Sequence, residues 1–148
     1  PRLRWDTGKM AYTLIYEDDR NLASNGVDIF ALRFSSTGVM LGSFAVATSP
    51  SNEYAPRISA RVSLLQEVTY YVDPPGVVFN YDVYGQSINN GVLVGSAYAV
   101  AQQTSVREMT PTIACATTTS CLSPYRWFDT NDHATEVDRI KARVISYP

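Results

Sequence analysis

Two cysteines, one histidine and a set of recurring aspartates are the residues in this 148-residue chain with the plainest chemistry to offer. Cys115 and Cys121 enclose five residues, Ala116 to Ser120. Across a hairpin turn, that spacing brings two Cα atoms within disulfide range, and closing so small a loop stabilises a fold by about 2 to 3 kcal/mol. A disulfide needs an oxidising compartment, so the expected location is extracellular or at the cell surface. Zinc fits less well, because one histidine and no second cysteine pair fall short of four ligands at metal spacing. His133, the only histidine, lies in the polar stretch from Asp129 to Asp138, and the chain has no G-x-S-x-G or comparable nucleophile motif. The expected role is a solvated loop histidine, and no catalytic residue is assigned.

The aspartates come in couples: Asp18 with Asp28, Asp73 with Asp82, and Asp129 with Asp138, separated by 10, 9 and 9 residues. If the segments beside each couple pair as a hairpin, the two carboxylates meet at one rim. One reading is structural, a carboxylate accepting backbone N–H groups of the intervening loop. The other is an oxygen-rich calcium site, with Asp19, Asn131 or Asp132 and loop carbonyls completing six to eight ligands, although no 12-residue D-x-[DN]-x-[DN]-G loop is present. Glycosidase chemistry asks only for a carboxylate pair. Repetition of the same acids along the chain argues against a single active site, so loop bracing is the expectation and calcium the one cofactor these residues admit. Aromatic residues make up 11% of the chain and recur at matched places, as in Tyr16, Tyr71 and Trp127, or Phe30 and Tyr84. Such rings either pack between sheets or stack on pyranose faces in a glycan-binding lectin, and the alternation of the segments favours packing.

The elements that must position these residues are organised by an internal repeat. Pro1, Pro56 and Pro111 stand 55 residues apart, and each opens a short alternating segment. An aromatic-x-Asp triplet follows in each unit, at Tyr16 to Asp18, Tyr71 to Asp73 and Trp127 to Asp129, and then a second Asp opens another alternating segment at Asp28, Asp82 and Asp138. The first two units end alike, in Gly38-Val-Met-Leu-Gly-Ser and Gly91-Val-Leu-Val-Gly-Ser. Segments rich in aromatic and β-branched residues, such as 10–16 and 66–72, read as strands, and glycine-containing turns at 36–38 and 89–91 read as hairpin connections. No stretch shows a 3.6-residue apolar stripe. The expected fold is all-β, with tandem four-stranded antiparallel units at 1–55, 56–110 and 111–148, the last of them incomplete. A β-sandwich is the alternative, but it gives no reason for a 55-residue repeat of whole motifs.

These landmarks, P-x-[IL], aromatic-x-Asp, D-[IV]-[FY] and G-x-x-[LV]-G-S, resemble the degenerate β-propeller blade repeats of large secreted or surface proteins of bacteria. The likeness spans nearly the whole chain and implies a fold, not a catalytic site. Three units are fewer than the roughly four to eight that close a propeller. The expectation is therefore that further blades of a longer polypeptide, or other copies of the chain, cover the end units, and the absence of an initiator Met leans towards the longer polypeptide. The implied role is a non-enzymatic scaffold or interaction module. The alternatives are a lectin and the propeller portion of a secreted hydrolase. Twelve Lys and Arg against fourteen Asp and Glu leave a formal charge of -2, without the basic excess that nucleic acid or anionic lipid requires. No apolar run is long enough for a membrane-spanning helix.

Overall fold

The computed structural model describes residues 1–60, 64–77, 80–116, 120–129 and 138–146. Strands β1 (Arg2–Asp6), β2 (Ala11–Asp18), β3 (Asp28–Ser35) and β4 (Met40–Ala47) form a first antiparallel sheet in that order. A second is built the same way from β5 (Asn52–Ile58), β6 (Gln66–Asp73), β7 (Asp82–Asn89) and β8 (Val92–Ala101). In the third, β9 (Val106–Met109) and β10 (Ala114–Cys115) both pair with β11 (Ser120–Asp129), which in turn pairs with β12 (Arg139–Ser146). A single helical turn, α1 (Leu22–Asn25), lies between β2 and β3. The chain is all-β, a tandem of four-stranded antiparallel sheets, none closed into a barrel. Among the described residues no helix is long and apolar enough to cross a membrane.

Local chemistry sets the turns. The Asp6 carboxylate accepts the N–H groups of Gly8 and Lys9 at 3.0 and 3.2 Å, closing the β1–β2 connection. Asn90 and Gly91 form the two-residue link between β7 and β8 with φ of 54° and 81°, the conformation a type I′ hairpin demands.

The prolines occupy a different place from the one their spacing suggests. The second sheet starts at Asn52, four residues ahead of Pro56, and Ala55, at φ 52°, kinks β5 and shifts its register between Tyr54 and Arg57. Thr110, at φ 48°, makes the equivalent break between β9 and β10, just before Pro111. Proline has no N–H to give a ladder, and a kink is where none is needed. Each of these two prolines thus marks the break within a first strand. The sheets span 2–47, 52–101 and 106–146, where the proline spacing suggests units at 1–55, 56–110 and 111–148.

Successive sheets pack face to face. Ile15, Ile29, Ala31 and Val46 of the first meet Ile58, Val68, Tyr70 and Ile88 of the second. Val83, Val100 and Ala101 of the second pack with Tyr125 and Ile145 of the third. Polar contacts fix the alignment: Thr13 donates to Gln66 at 2.9 Å in the interior, and Arg33 donates to Asn90 at 2.8 Å. Strand alternation sorts the residues into faces. The face that the second sheet presents to the first carries Val68, Tyr70, Tyr84 and Ile88. The strand registers place Leu14, Tyr16, Phe30 and Phe34 at the same positions on the first sheet, where they face away from the second.

Candidate functional site

Two buried glutamates recur where one sheet meets the next. Glu53 and Glu108 stand 55 residues apart, each two residues ahead of the positive-φ kink and three ahead of the proline. The Glu53 N–H donates to the Val27 carbonyl at 2.7 Å and the Glu108 N–H to the Tyr81 carbonyl at 2.8 Å. Val27 and Tyr81 directly precede Asp28 and Asp82, which open β3 and β7. The first strand of each following sheet therefore hooks onto the sheet before it and sets a glutamate close to an aspartate. Glu53 is 1% exposed and Glu108 fully buried. Burial pushes the Glu53 carboxyl up to about 7, against hydrogen bonds from the Ser49 hydroxyl and N–H, while the Asp28 charge adds to the rise. Burial likewise pushes Glu108 up to about 7, with Asp82 adding and the Gln103 backbone and Lys141 ammonium opposing.

Between the first two sheets lies an open cleft of about 500 Å³. Val46 and Ala47 at the end of β4 form one wall, and Tyr70, Val72 and Tyr84 of the second sheet form the other. Glu53 and Asp82 supply its carboxyl groups, and Thr48, Ser49 and Ser51 its rim. Asp82 is 7% exposed; burial raises its carboxyl, with the Gln102 side chain opposing through a hydrogen bond. Burial also raises the hydroxyls of Tyr70 and Tyr84, and Gln102 donates to the Tyr84 hydroxyl at 3.1 Å. Glu53 Oε2 and Asp82 Oδ1 are buried without a hydrogen-bond partner among the described residues. Two such acceptors beside apolar and aromatic walls are suited to holding a proton or a positive charge.

The aspartates singled out by spacing have several different fates. Asp18 and Asp28 face each other in register across β2 and β3. The Arg20 guanidinium, 2.6 Å away, holds the Asp18 carboxyl below its ordinary value, and the Arg20 N–H adds a bond at 3.0 Å. Asp28 accepts from the side chains of Asn25 and Asn21 at 2.7 and 3.3 Å. Both acids thus bind the loop between them. In the second sheet Asp82 stands opposite Val72, and Asp73, raised by burial, stands opposite Asn52. One residue of displacement along a strand turns a side chain to the other face, so this couple does not repeat the first. Asp129 lies opposite Val106. Asp138 precedes β12 and accepts from Arg126, which lowers its carboxyl; Arg139 takes the register position that Asp28 and Asp82 hold in the other sheets. Among the described residues no group of three or more His, Cys, Asp or Glu side chains is placed to hold a metal ion. His133, Asn131 and Asp132 lie outside the described residues.

Cys115 and Cys121 form a disulfide, their Cα atoms 3.9 Å apart, as directly opposed residues of β10 and β11. Glu53 and Glu108 escape a reading that looks for acids at loop ends. Their signal is nonetheless present as Glu-x-[Ala/Thr]-Pro, with the 55-residue period of the prolines themselves. Compared with known proteins, the chain matches no family model and no curated protein sequence.

Proposed function

We propose that the chain is a non-enzymatic interaction module of the propeller-blade type, whose activity is to dock sheets of its own kind onto its two end faces. The observation that supports this is the chemistry of the first sheet's outward face. Leu14, Tyr16, Phe30 and Phe34 hold the positions that Val68, Tyr70, Tyr84 and Ile88 hold on the second sheet. On the second sheet Val68, Tyr70 and Ile88 are buried against a neighbour, whereas none of the four on the first is buried. A face with the side chains of a sheet junction is therefore only half covered.

The opposite end has the matching chemistry. On the outward side of the third sheet Leu122, Ile140 and Val144 are 46%, 75% and 61% exposed, at positions corresponding to the aliphatic side that the first sheet turns to the second. Two different faces that fit each other give head-to-tail association, which extends or closes according to the rotation between sheets. The docked sheet comes from a second copy or from further blades of a longer polypeptide. A disulfide accords with an extracellular or cell-surface setting for such an assembly. Light scattering on the 148-residue chain over a concentration series tests the reading. Growth in mass with concentration is expected, and a monodisperse monomer that binds no hydrophobic dye would overturn it.

A further inference from the structure

The two sheet junctions are built to one plan, and where they differ they show what the cleft at the first lacks. In the second sheet Tyr70 pairs with Tyr84 and Val72 with Asp82. In the third sheet the matching pairs are Tyr125 with Lys141 and Trp127 with Arg139. The strand carrying the buried glutamate aligns in the same way, Glu53 opposite Val72 and Glu108 opposite Trp127. At the second junction, then, a lysine stands where Tyr84 stands at the first, and an arginine where Asp82 stands.

Those two cations serve the second junction. The Lys141 ammonium sits 3.7 Å from the centre of the Trp127 ring and the Arg139 guanidinium 5.4 Å from it, on the residue directly opposite Glu108. The chain thus brings its own alkylammonium, stacked on an aromatic face, to the neighbourhood of a buried carboxyl. At the first junction no lysine or arginine lines the cleft among the described residues. Around Glu53 stand Asp28 from β3, Tyr70 from β6 and the Ser49 hydroxyl, while Asp82 and Tyr84 of β7 line the same cleft, Asp82 across Val72 from Glu53. Glu53 Oε2 and Asp82 Oδ1, on residues more than nine-tenths buried, have no partner among the described residues.

We propose that the cleft between the first and second sheets binds an alkylammonium group, carried by a small amine or by a lysine side chain, with Glu53 and Asp82 taking its charge. The aliphatic walls at Val46 and Val72 and the rings of Tyr70 and Tyr84 suit a methylene stem, as the tryptophan suits Lys141. Charge pairing requires ionised carboxyls, and Glu53 ionises near neutrality, so binding strengthens as pH rises from 5 to 8.

The test is an amide-resolved NMR titration at pH 8 with n-butylamine, the side chain of lysine as a free molecule, against n-butanol at matched salt. Saturable shifts confined to the residues around Val46, Tyr70 and Tyr84 are expected from the amine and not from the alcohol. Glu53→Gln should weaken binding at least tenfold. Tyr84→Lys supplies the ammonium from within the chain, as Lys141 does. It should abolish amine binding and raise the melting temperature more at pH 8 than at pH 5, a readout that stands even if Glu53→Gln fails to fold. Repeating the titration with Nα-acetyl-lysine amide separates the sources: shifts from both compounds assign lysine side chains, and shifts from butylamine alone assign free amines. An equal response to butanol, undiminished binding by folded Glu53→Gln, or saturable shifts from calcium in place of the amine would overturn the proposal.

Discussion

Glu53 and Glu108 hold protons that an unfolded chain would already have released. With the folded values near 7 and the unfolded ones near the ordinary 4.5, the native state binds more protons throughout that interval. Stability therefore falls as pH rises through it, by up to about 1.4 kcal/mol per glutamate for each pH unit crossed. Melting curves should show a lower transition temperature at pH 8 than at pH 5, and the double variant Glu53→Gln with Glu108→Gln should remove most of that slope. A wild-type profile that is flat or rises over the same range would contradict the assignment. Gly85 is a second position where one atom decides. A Cβ there would come within 2.5 Å of the Tyr98 ring, whose hydroxyl donates to Glu67 at 2.9 Å. Gly85→Ala should cost about 1 to 3 kcal/mol in chemical denaturation, because the ring must leave its place; an unchanged midpoint would show that Tyr98 is free to move. The sequence shows the glutamates only through the 55-residue period they share with the prolines, and it shows neither role. The aspartates stand out there because they flank loops, whereas the glutamates acquire their character only when one sheet closes over another.

At the scale of the elements, alternation and turn residues place most strands well. Segments opening at Asp28 and Asp82 are β3 and β7, and the glycine turns lead into β4 and β8 as hairpins. What spacing alone does not reveal is the first strand of the second and third sheets. A proline ahead of an alternating segment reads as a strand start, yet the kink at Ala55 or Thr110 lets residues on both sides of it pair with one neighbouring strand. The aspartate couples show the same limit, since a one-residue shift in pairing leaves sequence spacing almost unchanged and reverses the face. The disulfide is legible because it depends on a short loop and nothing distant. Cys115→Ser together with Cys121→Ser should cost about 2 kcal/mol, the entropy of so small a closed loop. Hydrogen exchange should quicken mainly in β10 and the facing end of β11. Loss of protection across all three sheets would mean that the bridge supports far more than its own hairpin.

For the whole molecule, the central proposal is that the outward faces of the first and third sheets are complementary and dock onto one another. Replacing one core-like side chain on each face gives variants with a single working face. Phe30→Asp spoils the first sheet's outer face and keeps the third's, while Ile140→Asp does the reverse. Burying an unpaired carboxylate in an apolar interface costs several kcal/mol, enough to block docking without touching either interior core. Sedimentation velocity on the separate variants and on their equimolar mixture is the most direct test. Each variant alone should remain a monomer under conditions where the wild-type chain associates, and the mixture should form a heterodimer and stop there, since only one pair of intact faces can meet. A mixture that stays monomeric while the wild type associates, or a wild-type chain that is itself a stable monomer, would contradict the account.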